Sequence, residues 1–522
     1  MKNRSPQKYL FSCLAIALLS SGPTRQLEAA DSARPNIVFI MADDHALEAV
    51  GCYGSWLKDF VVTPAIDQLA AEGMRFNNFC CNNSICSPSR ATYLTGQYSH
   101  KNGAYGLNAV INPDSPWVSA ELQKAGYQTG VFGKWHLKSR PQGFDRFKVT
   151  KGQGQWFDPT FYTDKSEWAY GGGGDEDAIE KHKGYSSDVY TDHALAWLNK
   201  RDRSKPFCLM LHFKAPHHSY EYPERWSHLH EGKIVPEPFN LHEDVKQTSP
   251  LMKGKHWGHM LLNRGYFQRH EKDADIPMWP HDGTDKSKTS AGYQHLIHKY
   301  LRCVAAVDEN VQRVVDALEE QGIKDDTLII YTSDQGYWLG QHGLYDKRLI
   351  LEESLKMPFV VRYPKEIKAG SVSDALTSNV DLARTLLDYA GAPAPKAMQG
   401  RNLRPLLQGA EPGDWRKAVW YAYWTAGHPH WGVRTDRYKL IQFPNTEEFE
   451  FYDLKKDRFE MNNLAGDAGY TKAIAATEAH VARRIREVGI APDQMPGRVS
   501  QGKSPTLKQD RKNAKNQGRK KK

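Results

Sequence analysis

Apolar residues gather in short continuous runs separated by long mixed stretches, the pattern of buried parallel strands joined by crossovers. The first run, Pro35-Asn36-Ile37-Val38-Phe39-Ile40-Met41-Ala42, stops at Asp43-Asp44, so two acids fall at the carboxyl end of the strand it predicts. Runs at Thr129 to Phe132, Pro206 to Phe213, Thr327 to Thr332 and Pro358 to Tyr363 predict further strands, with room between them for helices. One helix is explicit: Val304, Val307, Val311, Val314 and Leu318 recur every three or four residues, and Gly322 follows as a stop. Between Tyr220 and Ser290 the chain is polar and rich in His and Trp without a period, which predicts a long excursion able to roof a pocket. From about Trp415, strand candidates at Val419 to Trp424, Tyr438 to Phe443 and Phe449 to Tyr452 precede a helix near Tyr470 to Val488. The expected fold class is α/β, a large mainly parallel sheet flanked by helices, with a smaller C-terminal α+β subdomain.

Composition places the 522 residues among ordinary globular proteins, with 40% hydrophobic and 25% charged residues, and excludes wholesale disorder or a fibre. A net charge of +9 would suggest a nucleic-acid partner if it lay on the fold. It does not: ten Lys/Arg against one Asp from Arg498 to Lys522 supply +9, residues 1–30 supply +3, and the body is left at −3. No nucleic acid is expected. Lys2, Arg4 and Lys8, then the apolar run Leu10 to Leu19, then Leu27-Glu28-Ala29-Ala30 read as a signal peptide. That run is too short to span a bilayer, which takes roughly 20 apolar residues, and no later one approaches that length. An exported protein, periplasmic or secreted and without a membrane span, is expected. The chain then divides into a signal peptide (1–30), a main domain carrying the chemistry (31–395), the C-terminal α+β subdomain (396–492) and a basic tail (493–522). Cysteines stand at 13, 52, 80, 81, 86, 208 and 303; the six left after export permit disulfides but do not make a framework. Cys80, Cys81 and Cys86 lack a CxxC zinc spacing.

In open parallel sheets, ligands collect beyond the carboxyl ends of the strands, and acids stand there twice, at Asp43-Asp44 and Asp334-Gln335. Three carboxylates and an amide oxygen are hard ligands suited to calcium or magnesium. Taken singly, each pair reads equally well as a helix cap or a turn. Cys86-Ser87-Pro88-Ser89-Arg90-Ala91-Thr92-Tyr93-Leu94-Thr95-Gly96 predicts a short helix beginning just after the cysteine and stopped by glycine. Its amino end, with Arg90 one turn in, suits an anion such as sulfate or phosphate. A lone cysteine is more often simply buried or redox-active.

These residues resemble the sulfatase family, in which CxPxR, four residues and Thr-Gly mark a cysteine oxidised to formylglycine. The pattern is matched in full. The resemblance runs from Asn36 to about Leu464, through Gly133-Lys134-Trp135-His136, Ala215-Pro216-His217, Thr332-Ser333-Asp334-Gln335-Gly336, Asp346-Lys347-Arg348 and Tyr452-Asp453-Leu454. It implies an alkaline phosphatase-like fold and a calcium ion bound by Asp43, Asp44, Asp334, Gln335 and the formylglycine made from Cys86. It further implies that Arg90 holds the metal-bound oxygens, that His136 assists the hydrated aldehyde, and that Lys134, His217 and Lys347 contact the sulfate and the departing oxygen. His217 and Lys347 both remain candidates for the general acid. Gln335 departs from the Asn of many relatives, and no residue of Lys151 to Trp156 matches a substrate-contacting Ser known in some of them.

Gly152-Gln153-Gly154, Asp346-Lys347-Arg348 and Glu352-Glu353-Ser354-Leu355 look like the branch holding N-acetylglucosamine-6-sulfatases and other carbohydrate sulfatases, which implies a sulfated sugar substrate. In the C-terminal part, His428 and His430 within His428-Pro429-His430-Trp431 are candidate sugar contacts at the pocket mouth, where Trp can stack and His can bond hydroxyls; a plain surface loop is the competing reading. The implied maturation partner is a formylglycine-generating enzyme. Two other functions fit parts of the pattern: a formylglycine-dependent phosphonate or phosphodiester hydrolase, and an inert polyanion-binding protein that uses its basic tail.

Overall fold

The apolar run Asn36–Ala42 lies inside a sheet of ten strands. The computed structural model describes residues 34–499 apart from 170–172, 175–178, 244–254 and positions 274, 426 and 445. The expected signal peptide and most of the basic tail lie outside the described residues.

Asn36–Ala42 is parallel to Phe207–His212 on one side and Thr327–Ser333 on the other, and Gln128–Lys134 and Arg146–Thr150 continue the parallel set. The flanks depart from the expected pattern. Phe359–Arg362 runs antiparallel to Thr327–Ser333, and Thr160–Thr163 runs antiparallel to Arg146–Thr150. An apolar run reports that a strand is buried, not which way it points, so the direction of the strand at Pro358 to Tyr363 was not readable.

Alternation fixes the two faces. Ile37, Phe39 and Met41 join one buried cluster, while Val38, Ile40 and Ala42 join the other, as a strand covered on both sides requires. Each such aliphatic or aromatic side chain contributes about 1.5–3 kcal/mol on burial. The long helix Asp285–Glu320 backs the second cluster. It begins far ahead of its valine stripe, at Thr284, whose side chain caps Ser287 N. Its first half buries Gln294, His295, His298 and Lys299 among aromatics, which hid it from a search for apolar periodicity.

Four antiparallel strands, Ala418–Tyr423, His430–Thr435, Tyr438–Gln442 and Phe449–Asp453, form the C-terminal sheet, and Thr471–Val488 packs across it. From Pro35 onward the described residues form one compact unit, so this sheet is a subdomain of the body. A buried ion pair ties it down: Arg416, just before the first strand, clasps both carboxylate oxygens of Asp381. Among the described residues no helix is long and apolar enough to cross a membrane, and all six cysteines are unpaired.

Register sets the position of the site. Met41 pairs with His212 and with Thr332, and His212 pairs with Gly133. Asp43, Asp334 and Lys134 therefore leave the sheet along one edge.

Candidate active site

The helix Cys86–Thr95 starts at this edge with all ten residues buried, and Gly96 ends it in the left-handed conformation at φ 61°. Cys86 at its first turn faces the strand-end acids. Its Sγ lies 3.3 Å from Asp43 Oδ1, 3.7 Å from Gln335 Nε2 and 4.0 Å from Lys134 Nζ. Arg90, one turn on, donates from Nε to Asp334 Oδ2 at 3.0 Å and from Nη1 to the Lys134 carbonyl at 2.9 Å. Lys134 donates to Asp43, and Lys347 to Asp44 Oδ2 at 2.5 Å. His217 donates from Nδ1 to the carbonyl of His218 and points Nε2 at Asp44 Oδ2, 3.8 Å away. His136, at φ 56°, accepts the Ser87 hydroxyl on its carbonyl at 2.6 Å. Thus ten of the residues singled out from sequence stand in one neighbourhood, drawn from six separate stretches of chain.

The electrostatics are those of a crowded acid cluster. Burial raises the Asp43 carboxyl, but Lys134, His217, Arg90 and Lys347 outweigh it and hold the group well below the usual range. Burial, opposed by Lys347 and reinforced by Asp43, pushes Asp44 up to about 6. Burial and then the Asp43 charge push Asp334 up to about 8. Burial lowers both His217 and His136, with Lys134 next in each case. Three carboxylates packed this closely resist ionising together without a cation.

Asp43, Asp44 and Asp334 present oxygens within 4.8 Å of one another. Gln335 donates from Nε2 to Asp44, while its buried Oε1 has no hydrogen-bond partner among the described residues. An orphaned amide oxygen beside three carboxylate groups fits a hard divalent cation such as calcium.

A cleft of about 130 Å³ opens onto Cys86, His217 and Lys347, with Gln153, His218, Arg269, Asp346 and Arg348 on its walls. It is far smaller than pockets that engulf a drug-sized ligand, roughly 300–1,000 Å³, and suits a sulfate-sized group with its attachment. Arg269 comes from the polar excursion, which does reach over the site.

Gln153 is a functional candidate that sequence reasoning passed over. Its Oε1 accepts from Lys134 Nζ at 2.5 Å, and its carbonyl accepts from Lys214 Nζ at 3.2 Å. Burial and Lys134 lower buried Lys214 to about 8. The turn holding Gln153 needs its flanking glycines: Gly154 sits at φ +72°, and a Cβ there would meet Thr150 Oγ1 at 2.8 Å. That Gly-Gln-Gly turn was the available signal.

His428 and His430 stand elsewhere. His430 opens a strand, is fully buried and stacks on Tyr421 at 5.6 Å, with Nδ1 on the His428 carbonyl at 2.8 Å. Neither lines the cleft. The reading of His430 as part of a loop is corrected by its place in the sheet.

The sulfatase family profile matches residues 35–392, and that of the N-sulphoglucosamine sulphohydrolase C-terminal region matches residues 340–487. An N-acetylglucosamine-6-O-sulfatase of Bacteroides thetaiotaomicron is 40% identical over 503 residues, covering 88% of each chain. A solved structure in complex with its substrate D-glucosamine-2-N,6-O-disulfate superposes with a TM-score of 0.79 at 37% identity, over 88% of this chain and 99% of that one. A phosphonate monoester hydrolase of Agrobacterium radiobacter shares the fold at 22% identity and a TM-score of 0.68, over 87% of this chain and 96% of its own.

Proposed function

The chain belongs to the sulfatase family, and on that premise we propose that it is an exported carbohydrate sulfatase acting on N-acetylglucosamine 6-sulfate or a closely related sulfated sugar. Hydrolysis of sulfuric esters follows from the family. The observation that carries the reading is the convergence of Asp43, Asp44, Asp334 and Gln335 on Cys86 at a helix amino end. The sugar is supported by the 40% identical N-acetylglucosamine-6-O-sulfatase and by the glucosamine disulfate in the structural neighbour.

Calcium held by Asp43, Asp44, Asp334 and Gln335 would neutralise these acids and stabilise negative charge on adjacent oxygens. Oxidation of Cys86 to formylglycine would supply, as the hydrated aldehyde, a hydroxyl nucleophile in place of a thiol. The protein's own groups do the rest. Arg90 fixes Asp334 and the backbone at Lys134, which holds the helix carrying position 86 against the strand ends. Lys134 and Lys347 bring two ammonium groups to opposite acids, where they stabilise charge spread over the sulfate oxygens. His217 and Lys347 both reach Asp44, so a leaving oxygen there meets two groups able to carry its proton. Asp346 and Arg348 add a carboxylate and a guanidinium to the cleft wall for sugar hydroxyls.

The test is sulfate release from a panel headed by N-acetylglucosamine 6-sulfate, with uronate 2-sulfate, galactose sulfates and a phosphodiester, using protein coexpressed with a formylglycine-generating enzyme. Release from a sugar sulfate, lost in Cys86→Ala, is the expected result. Turnover of the phosphodiester alone would sink the sulfatase reading, provided mass spectrometry finds the aldehyde at residue 86.

A further inference from the structure

A second imidazole shares the cleft with His217. His218 lines it, and its Nε2 lies 3.0 Å from Nε2 of His270, a residue of the polar excursion. His270 Nδ1 in turn lies 2.7 Å from Asp273 Oδ2. Behind the pair, Lys299 donates to Asp273 Oδ2 at 3.0 Å and to Asp275 at 2.9 Å. His270 and His295 are almost wholly buried, at 2% and 0% exposure.

His270, Asp273 and His295 stand close enough to suggest a metal site, but the protons are placed against it. His295 Nε2 faces the Ile276 carbonyl at 2.9 Å, and a carbonyl only accepts, so that nitrogen carries hydrogen. Its Nδ1 accepts the Tyr266 hydroxyl at 2.8 Å. Asp273 already carries the Lys299 ammonium.

The same bookkeeping settles His218. Asp273, ionised beside Lys299, accepts from His270, so the proton of a neutral His270 sits on Nδ1 and its Nε2 is a lone pair. His218 must then donate from Nε2, which leaves its Nδ1 bare. Arg269 Nη1 stands 3.2 Å from that Nε2 and also 3.2 Å from Tyr345 Oη, and with Nε2 already protonated the guanidinium hydrogen goes to the tyrosine. No described group bonds His218 Nδ1. Burial keeps both rings neutral: His270 is lowered, and burial with His270 and Arg269 takes His218 to about 3.

Building on the carbohydrate reading above, we propose that His218 reads a sugar hydroxyl as a neutral hydrogen-bond acceptor, and that the buried Asp273–His270 pair is a positioning device that fixes its tautomer. His218 is then a specificity residue rather than part of the sulfate machinery. A bare imidazole nitrogen offers nothing to sulfate oxygens, which accept only, and it favours an O–H or amide N–H of the substrate. The glucosamine class supplies both.

Two substrates separate this role from a structural one: N-acetylglucosamine 6-sulfate, and 4-nitrophenyl sulfate, which has no sugar hydroxyl. His218→Ala and His270→Leu are expected to lower kcat/KM on the sugar about tenfold, with less than roughly twofold change on the aryl ester. His270→Gln, whose amide oxygen still accepts from His218 Nε2, is expected to retain most of the sugar activity. Equal losses on both substrates, or no loss on the sugar, overturn the inference. Nitrogen-15 NMR of histidine-labelled protein, with His218 assigned through His218→Gln, provides a check independent of turnover: a proton on His218 Nδ1 also overturns it. A wild-type enzyme that cleaves the aryl ester but no sulfated sugar defeats the carbohydrate reading itself, whatever the variants do.

Discussion

Replacing Gln153 with leucine isolates one hydrogen bond to Lys134, the cation proposed above to act on the sulfate. In the wild type, the Lys134 ammonium is shared between Asp43 and Gln153 Oε1, the latter at 2.5 Å, and it stands 4.0 Å from the sulfur of residue 86. Leucine keeps the bulk and removes the acceptor, so Asp43 holds Lys134 alone and draws it away from the position facing the sulfate. A hydrogen bond to a charged group is worth about 1.5–3 kcal/mol. At about 1.36 kcal/mol per factor of ten, kcat/KM is expected to fall roughly 10- to 150-fold. If Lys134 acts on the sulfate as proposed, the loss should be alike for N-acetylglucosamine 6-sulfate and an aryl sulfate, the opposite of the split expected for His218. Gln153→Glu should be worse, since its carboxylate pairs with Lys134 and competes with the substrate anion. Gln153 is only half-buried, so melting temperatures should stay within a few degrees of wild type. If Gln153→Leu retains sulfate release within about threefold on both substrates, Lys134 is not tuned by this contact and the reasoning fails.

Three further outcomes are expected. Arg416→Ala leaves the Asp381 carboxylate buried without its cation and should cost about 3–5 kcal/mol in denaturant unfolding; a loss near zero would mean that the pair does not anchor the C-terminal sheet. Asp308 accepts from the Ala65 and Ile66 amides at 3.0 and 2.9 Å, and burial pushes it up to about 7. Its folded-state affinity for the proton exceeds that of the unfolded chain, so its contribution is complete below about pH 4 and is lost as pH rises through 7. Asp308→Asn should flatten that decline in melting temperature, and an unchanged slope would contradict the assignment. Removing divalent ions with a chelator should abolish sulfate release and lower the melting temperature, with calcium restoring both; at a hundred times its dissociation constant the ion adds about 2.7 kcal/mol of stability. Indifference to the chelator would discard the ligand set at Asp43, Asp44, Asp334 and Gln335.

The parallel heart of the fold was readable because strands buried on both faces are apolar throughout, as at Asn36–Ala42 and Phe207–His212. Strand direction at Phe359–Arg362 was not, because apolarity carries no sign. His430–Thr435 escaped notice because its residues, HWGVRT, include a histidine, an arginine and a glycine that the packing nonetheless buries or pairs. The carboxylates, Cys86 and Arg90 could be named because they stand at strand ends and a helix start, whereas Lys134, His136, His217 and Lys347 were named only through the motifs of the family the sequence resembles. Gln153 carries no chemistry of its own, and only Lys134 brought against it from another strand reveals its part. His270 and Asp273 lie in a stretch without period, more than 50 positions from His218, and nothing along the chain marks them as its partners.

The burial of the helix Cys86–Thr95 constrains the order of events in the life of the protein. Residue 86 has no exposed surface, and the cleft leading to it admits a small anion, not the working end of another enzyme. If Cys86 is oxidised to formylglycine as proposed, the modifying enzyme must meet the segment as an open peptide, before the strands around it close. A chain that folds first is therefore sealed in its thiol form, and supplying the modifying enzyme afterwards should not rescue it. On that proposal, the yield of active protein depends on a race between folding and modification during synthesis.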